Sequence, residues 1–145
     1  MDVCNNLDTI TSFNRSVLTI GSFDGLHSGH IAVIKDLKQK ATKNNCPSIL
    51  ITFHPHPKSI LNKDIDVKWN VLLGLDKKIH IFEQYKIDYV LLVPFDKNFA
   101  TLTANTFLEN YIIKYFNPVD IVIGFNHHSL CYTASHTLFI IIIKY

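Results

Sequence analysis

The chain has 145 residues, 48% of them hydrophobic and 18% charged, with a formal net charge of +2. That length fits one domain, and the balance supplies enough apolar surface for a core, which excludes a disordered polar chain. A charge excess this small, with no basic stripe, also excludes nucleic-acid binding carried by charge alone.

Met1 to Thr11 carries Asp2, Asn5, Asn6 and Asp8 and no apolar run, so it is not a secretory signal. Val17 to Ile20 is the first short β-branched apolar run and is predicted to be a strand. Ile31, Ile34, Leu37 and Ala41 then form an apolar stripe opposite Lys35, Lys38, Gln39 and Lys43, the pattern of a crossover helix. Ser48 to Phe53 reads as a second strand. Lys58 to Asn70 lacks a period and reads as a surface loop and candidate lid. Asp76 to Tyr85 repeats apolar residues at Ile79, Phe82 and Tyr85, predicting a second helix, and Tyr89 to Val93 a third strand. Ala104 to Tyr115, with Phe107, Leu108, Tyr111 and Ile112 on one face and Thr103 as its cap, predicts a third helix. Val119 to Ile123 is the fourth strand. Leu138 to Ile143, the longest apolar run, falls far short of the roughly 18 residues that span a bilayer, but the tail Thr137 to Tyr145 that holds it could add a fifth strand.

The strands are continuous apolar runs, as expected where both faces are covered. Their alternation with helices predicts an α/β fold: a Rossmann-like, doubly wound parallel sheet in three α/β/α layers. Residues 1–128 are expected to form the domain and 129–145 an atypical tail. Cys4, Cys46 and Cys131 are odd in number and contain no C-x-x-C pair, which fits a reducing cytoplasm better than a disulfide framework or a thiolate zinc site.

In such a sheet ligands bind beyond the carboxyl ends of the strands. The residues there are Gly21 to His30 after the first strand, His54-Pro55-His56-Pro57 after the second, Pro94-Phe95-Asp96 after the third, and Gly124-Phe125-Asn126-His127-His128 after the fourth. Six of the eight histidines therefore gather on one rim. Gly21 and Gly25 allow close backbone approach, and His27 and His30, three apart, share one face of an opening helical turn. A helix start favours an anion, and two imidazole donors suit charge building on phosphoryl oxygens. The spacing is neither a P-loop nor G-x-G-x-x-G. Other roles stay open for the rim residues: His54 and His56 sit at a proline-stopped strand exit, Asn126 could cap a turn, and Phe95 and Phe99 could pack. Adjacent His127 and His128 point oppositely in extended chain, so a metal site is not expected.

Gly21-Ser22-Phe23-Asp24-Gly25-Leu26-His27-Ser28-Gly29-His30 resembles the G-x-F-D-G-x-H-x-G-H signature of the nucleotidyltransferase superfamily and, within it, the N-terminal adenylyltransferase module of the bacterial bifunctional FAD synthetases. Thr52 to Pro57, Pro94-Phe95-Asp96 with Phe99 to Thr103, and Val122 to Asn126 follow in the family's order. The resemblance implies AMP transfer from ATP to FMN, giving FAD and pyrophosphate with Mg²⁺ and no covalent enzyme intermediate. His27 and His30 would be catalytic. Gly21, Ser22, Phe23, Asp24, Gly25 and Gly29 would bind ATP, and Phe53, His56, Phe95 and Asn126 would border FMN. No nucleic-acid or membrane partner is implied, and the oligomeric state stays open.

Two departures from the family stand out. Ser129 to Ser135 replaces an aromatic-glycine pair and a basic turn, and both the later arginine-bearing Ser/Thr motif and the riboflavin kinase domain are missing. The expectation is an incomplete adenylyltransferase module. Its alternatives are an inactive ATP-binding remnant or an enzyme for another phosphorylated acceptor, such as phosphopantetheine or nicotinamide mononucleotide.

Overall fold

A computed structural model describes residues 1–57, 59 and 72–124. These form one parallel sheet from β1 (Asp2–Cys4), β2 (Ser16–Ile20), β3 (Ser48–His54), β4 (Tyr89–Pro94) and β5 (Pro118–Val122), in the spatial order β1-β4-β3-β2-β5. The connections carry α1 (Ser28–Lys43), α2 (Leu75–Gln84), α3 (Lys97–Ala100) and α4 (Ala104–Phe107), the last running into a π-helix over Leu108–Phe116. The four predicted strands appear within a residue or two of their expected limits, and the three helical patterns fall on α1, on α2 and on α4 with the π-helix.

Both faces of the sheet are buried, which is why its strands read as unbroken apolar runs. On one face Leu18, Ile20, Ile49, Ile51, Phe53, Leu91 and Val93 pack against Leu108, Ile112 and Phe116 of the π-helix. On the other, Val17, Leu50, Val90 and Leu92 meet Ile34, Leu37 and Ala41 of α1 and Phe82 of α2. Each such side chain contributes about 1.5–3 kcal/mol on burial, so the two-sided core holds the sheet between both helix layers.

At the amino ends of the strands, Asp88 ties three elements together. Its carboxylate accepts hydrogen bonds from the Ser48 N–H (2.9 Å), the Ser48 hydroxyl (2.6 Å) and the Lys38 ammonium (2.9 Å). The strand starts are thus fixed to α1, leaving the carboxyl ends to carry loops.

Three local features differ from the sequence reading. Asp2–Cys4 adds an edge strand paired with Tyr89, Val90 and Leu91, although the segment has no apolar run of its own. Partner backbone supplies what its side chains lack. Lys97–Ala100 forms a single helical turn capped by Asp96, whose carboxylate accepts from the Phe99 N–H at 2.6 Å. The third helix starts at Ala104 with the Thr103 cap as expected, the hydroxyl accepting from the Thr106 N–H at 3.1 Å, but widens at Leu108. Both helix types put residues four apart on one face, so the stripe Leu108, Ile112, Phe116 could not distinguish them. Apart from Ser59, the predicted loop 58–70 lies outside the described residues, as do the His127–His128 pair, Cys131 and the tail 129–145.

Candidate active site

The chain leaves β2 toward β3 on one side, while β5 lies on its other side. The carboxyl end of β2 is therefore the switch point of the sheet, where an open α/β fold forms its ligand crevice. The segment Gly21 to His27 occupies that position and leads directly into α1.

The loop is held in an uncommon conformation. Phe23 (φ 48°), Gly25 (φ 74°) and Leu26 (φ 40°) all lie in the left-handed region. For Phe23 and Leu26, which carry a Cβ, this costs of order 1–3 kcal/mol each, so the surroundings must impose it. At Phe23 they visibly do. Its ring is 2% exposed, meets Phe82 edge-on at 5.8 Å and lies 5.3 Å from the His30 ring. Phe23 thus shapes the loop from beneath rather than facing outward. The Asp24 carboxylate accepts from the Leu72 N–H at 3.2 Å, tying the loop to the chain that enters α2.

His27 and His30 come together as their spacing predicts. Their rings are stacked, with centroids 3.9 Å apart and planes 22° from parallel. His27 also caps α1, its Nδ1 accepting from the Gly29 N–H at 3.1 Å. No spacing rule announces this cap, and the bond uses one of the helix-start donors expected to face an anion. It also orders the ring: with Nδ1 accepting, the neutral imidazole carries its proton on Nε2, a donor. A Cβ on Gly29 would stand 3.0 Å from His27 Cε1 and 3.1 Å from its Nδ1, so a larger residue there would crowd the ring where it folds back. No acidic residue lies in the first turn of α1, so the positive end of the helix is not neutralised locally.

The other rim residues divide. Phe53 and His56 line a small cavity of about 200 Å³ together with Thr52, His54 and Lys78. Phe95 is 6% exposed and packs at 5.7 Å from Phe53 and 5.6 Å from Phe99, which makes it part of the aromatic core edge. Asn126 lies outside the described residues. Among the described residues no group of three or more His, Cys, Asp or Glu side chains is placed to hold a metal ion, and no helix is long and apolar enough to cross a membrane.

Lys78 escaped the sequence reading. It is 5% exposed, and its ammonium donates to the Ser22 carbonyl at 2.9 Å. The Thr52 hydroxyl donates to the same carbonyl at 3.2 Å. Burial pushes the Lys78 ammonium below its ordinary lysine value, and the Asp24 carboxylate offsets part of that. One sequence signal was present: Lys78 stands on the inner stripe of its helix, four residues before the buried Phe82.

Sheet, switch point and loop define a doubly wound, Rossmann-like α/β protein with a glycine- and histidine-bearing loop where such folds bind ligands. The FAD synthetase family model matches residues 9–136, and the chain belongs to that family. It is similar to the bifunctional riboflavin kinase/FMN adenylyltransferase of Buchnera aphidicola (subsp. Schizaphis graminum), with 36% identity over 120 residues, 83% of this chain and 37% of that protein. The Bacillus subtilis protein of the same name is 37% identical over 112 residues, 77% of this chain and 35% of that one. The chain spans about a third of the length of the curated relatives it matches. Among solved structures, a crystal structure described as a macrolide-efflux protein from Streptococcus pneumoniae superposes with a TM-score of 0.76 at 26% identity, covering 94% of this chain and 51% of that one.

Proposed function

We propose that this chain is an FMN adenylyltransferase of flavin cofactor biosynthesis, acting in the cytoplasm on ATP and FMN to give FAD and pyrophosphate. The observation that carries this reading is the stacked His27–His30 pair at the start of α1, at the switch point of a parallel sheet. A phosphate oxygen of FMN attacks the α-phosphorus of ATP, and the bond from that phosphorus to the bridging β-phosphate oxygen breaks. Pyrophosphate leaves with the electron pair. Charge grows on the phosphoryl oxygens as the bonds exchange, and the imidazole donors and the unneutralised helix end are placed to meet it. Magnesium belongs here to the substrate, travelling as the ATP complex with phosphate oxygens and water as ligands.

The roles follow from position. His27 offers Nε2–H while its Nδ1 is held by the Gly29 N–H. His30, stacked on it and backed by Phe23, fixes the ring from behind and adds a second imidazole. Gly21, Ser22, Asp24 and Gly25 shape the loop around the triphosphate, and Phe53 and His56, on the neighbouring cavity, border the flavin.

The test is direct. Purified protein incubated with ATP, magnesium and FMN should form FAD and pyrophosphate in equal amounts, measured by chromatography and a pyrophosphate assay. ATP binding by calorimetry with no FAD formed would leave a nucleotide-binding protein and remove the transferase. FAD absent while phosphopantetheine or nicotinamide mononucleotide is adenylylated would reassign the acceptor.

A further inference from the structure

We propose that Lys78 is a positioning residue of the nucleotide loop: by holding the Ser22 carbonyl inward, it aims the Phe23 N–H at the phosphates that the loop receives. This deepens the nucleotide reading of the loop and rests on it.

The geometry comes from one peptide. The Ser22 carbonyl takes two donors from the protein interior, the Lys78 ammonium at 2.9 Å and the Thr52 hydroxyl at 3.2 Å. In a planar trans peptide the carbonyl and the following N–H point in opposite directions. Drawing the carbonyl toward the buried Lys78 therefore turns the Phe23 N–H away from it. The left-handed φ of Phe23 then sends the chain around toward Gly25 and His27, and successive N–H groups in such turns form concave anion sites. A peptide free to rotate would lose that direction, because the carbonyl would otherwise face the incoming phosphate and repel it.

Lysine suits the task. Its long stem crosses from α2, and Phe82 one turn further along packs against the ring of Phe23, so one helix holds both that ring and the peptide that precedes it. The ammonium is committed to a backbone carbonyl inside the protein, which marks it as support for the loop rather than a group that touches the reacting atoms.

The test compares the full chain with Lys78→Met, which keeps the stem and removes the donor. Far-UV circular dichroism and a thermal melt establish folding. Calorimetry then measures ATP, inorganic pyrophosphate and adenosine. ATP and pyrophosphate should each bind about tenfold more weakly, the size expected for losing a charge-assisted hydrogen bond, while adenosine binds unchanged. Equal weakening of all three, or none, overturns the inference, as does a loss confined to FMN with ATP and pyrophosphate unaffected. Should Lys78→Met fail to fold, Thr52→Val removes the second donor alone and should weaken ATP and pyrophosphate about two- to threefold; an unchanged value overturns the inference equally. Wild-type protein that binds neither ATP nor pyrophosphate fails differently, because it overturns the nucleotide reading of the loop itself and Lys78's role with it.

Discussion

At the amino ends of β3 and β4, Asp88, Ser48 and Lys38 satisfy one another across three elements, with hydrogen bonds of 2.6 to 3.5 Å. At the carboxyl end of β2 the chain does the reverse. It holds Phe23 and Leu26 in left-handed conformations, buries a lysine beneath them and stacks two imidazoles at a helix start. The first arrangement lowers the energy of the fold and presents little to a ligand. The second raises the local energy and gathers two imidazoles at a helix start. The two ends differ in what a substitution should change: stability at one, chemistry at the other.

The largest effect expected from breaking that division is at His30. His30→Ala removes one imidazole donor and should lower the rate of FAD formation about 10²- to 10³-fold, the usual cost of one preorganised donor to developing charge, with the melting temperature little altered. Unchanged turnover would show that the stacked pair is structural. Next comes Gly29→Ala. Its added methyl, 3.0 Å from His27 Cε1, should push the imidazole off its cap and reduce turnover about 10- to 100-fold through misplacement. Helix propensity favours alanine by about 1 kcal/mol, so stability should hold while activity falls. A melt and a rate on the same sample test both halves.

Asp88→Ala addresses the other end. It should destabilise the fold by about 1–2 kcal/mol, since the carboxylate is half exposed, and leave turnover per folded molecule unchanged, as denaturant unfolding and the FAD assay would report. The same residue sets a pH dependence. Burial pulls the Asp88 pKa up, but hydrogen bonds from the Ser48 hydroxyl, Lys38 and the Ser48 N–H, with the charge of Lys38, bring it below the ordinary aspartate value. A carboxyl held lower in the folded state stabilises the fold above its unfolded pKa, and that contribution disappears as pH falls through the folded value. Wild-type stability should therefore decline below about pH 4, and Asp88→Ala should flatten that decline. The smallest effect is at Thr103→Ala, which removes the α4 cap and should cost about 1 kcal/mol with activity intact.

Much of this molecule was legible in its residues. Continuous runs such as Ser48 to Phe53 announced strands covered on both sides, and Ile34, Leu37 and Ala41 announced the face of α1 that meets the sheet. The His27–His30 pairing was legible because a helix cap and the third residue of its helix lie on one side of the opening turn. What escaped were features whose partners lie far along the chain. Asp2–Cys4 is a strand only because Tyr89 to Leu91 offers an edge. Phe23, grouped by its motif with the nucleotide contacts, has its ring in the core because Phe82 waits there from another helix.

Local periodicity and a short motif thus determined the layers, the parallel sheet and the loop at its switch point, since those depend on spacing along the backbone. Tertiary structure alone decided which polar groups stand behind that loop. Lys78 and Ser22 are brought within 2.9 Å by helices and strands packing on a common sheet, and no spacing rule connects residues whose meeting depends on how the whole core closes.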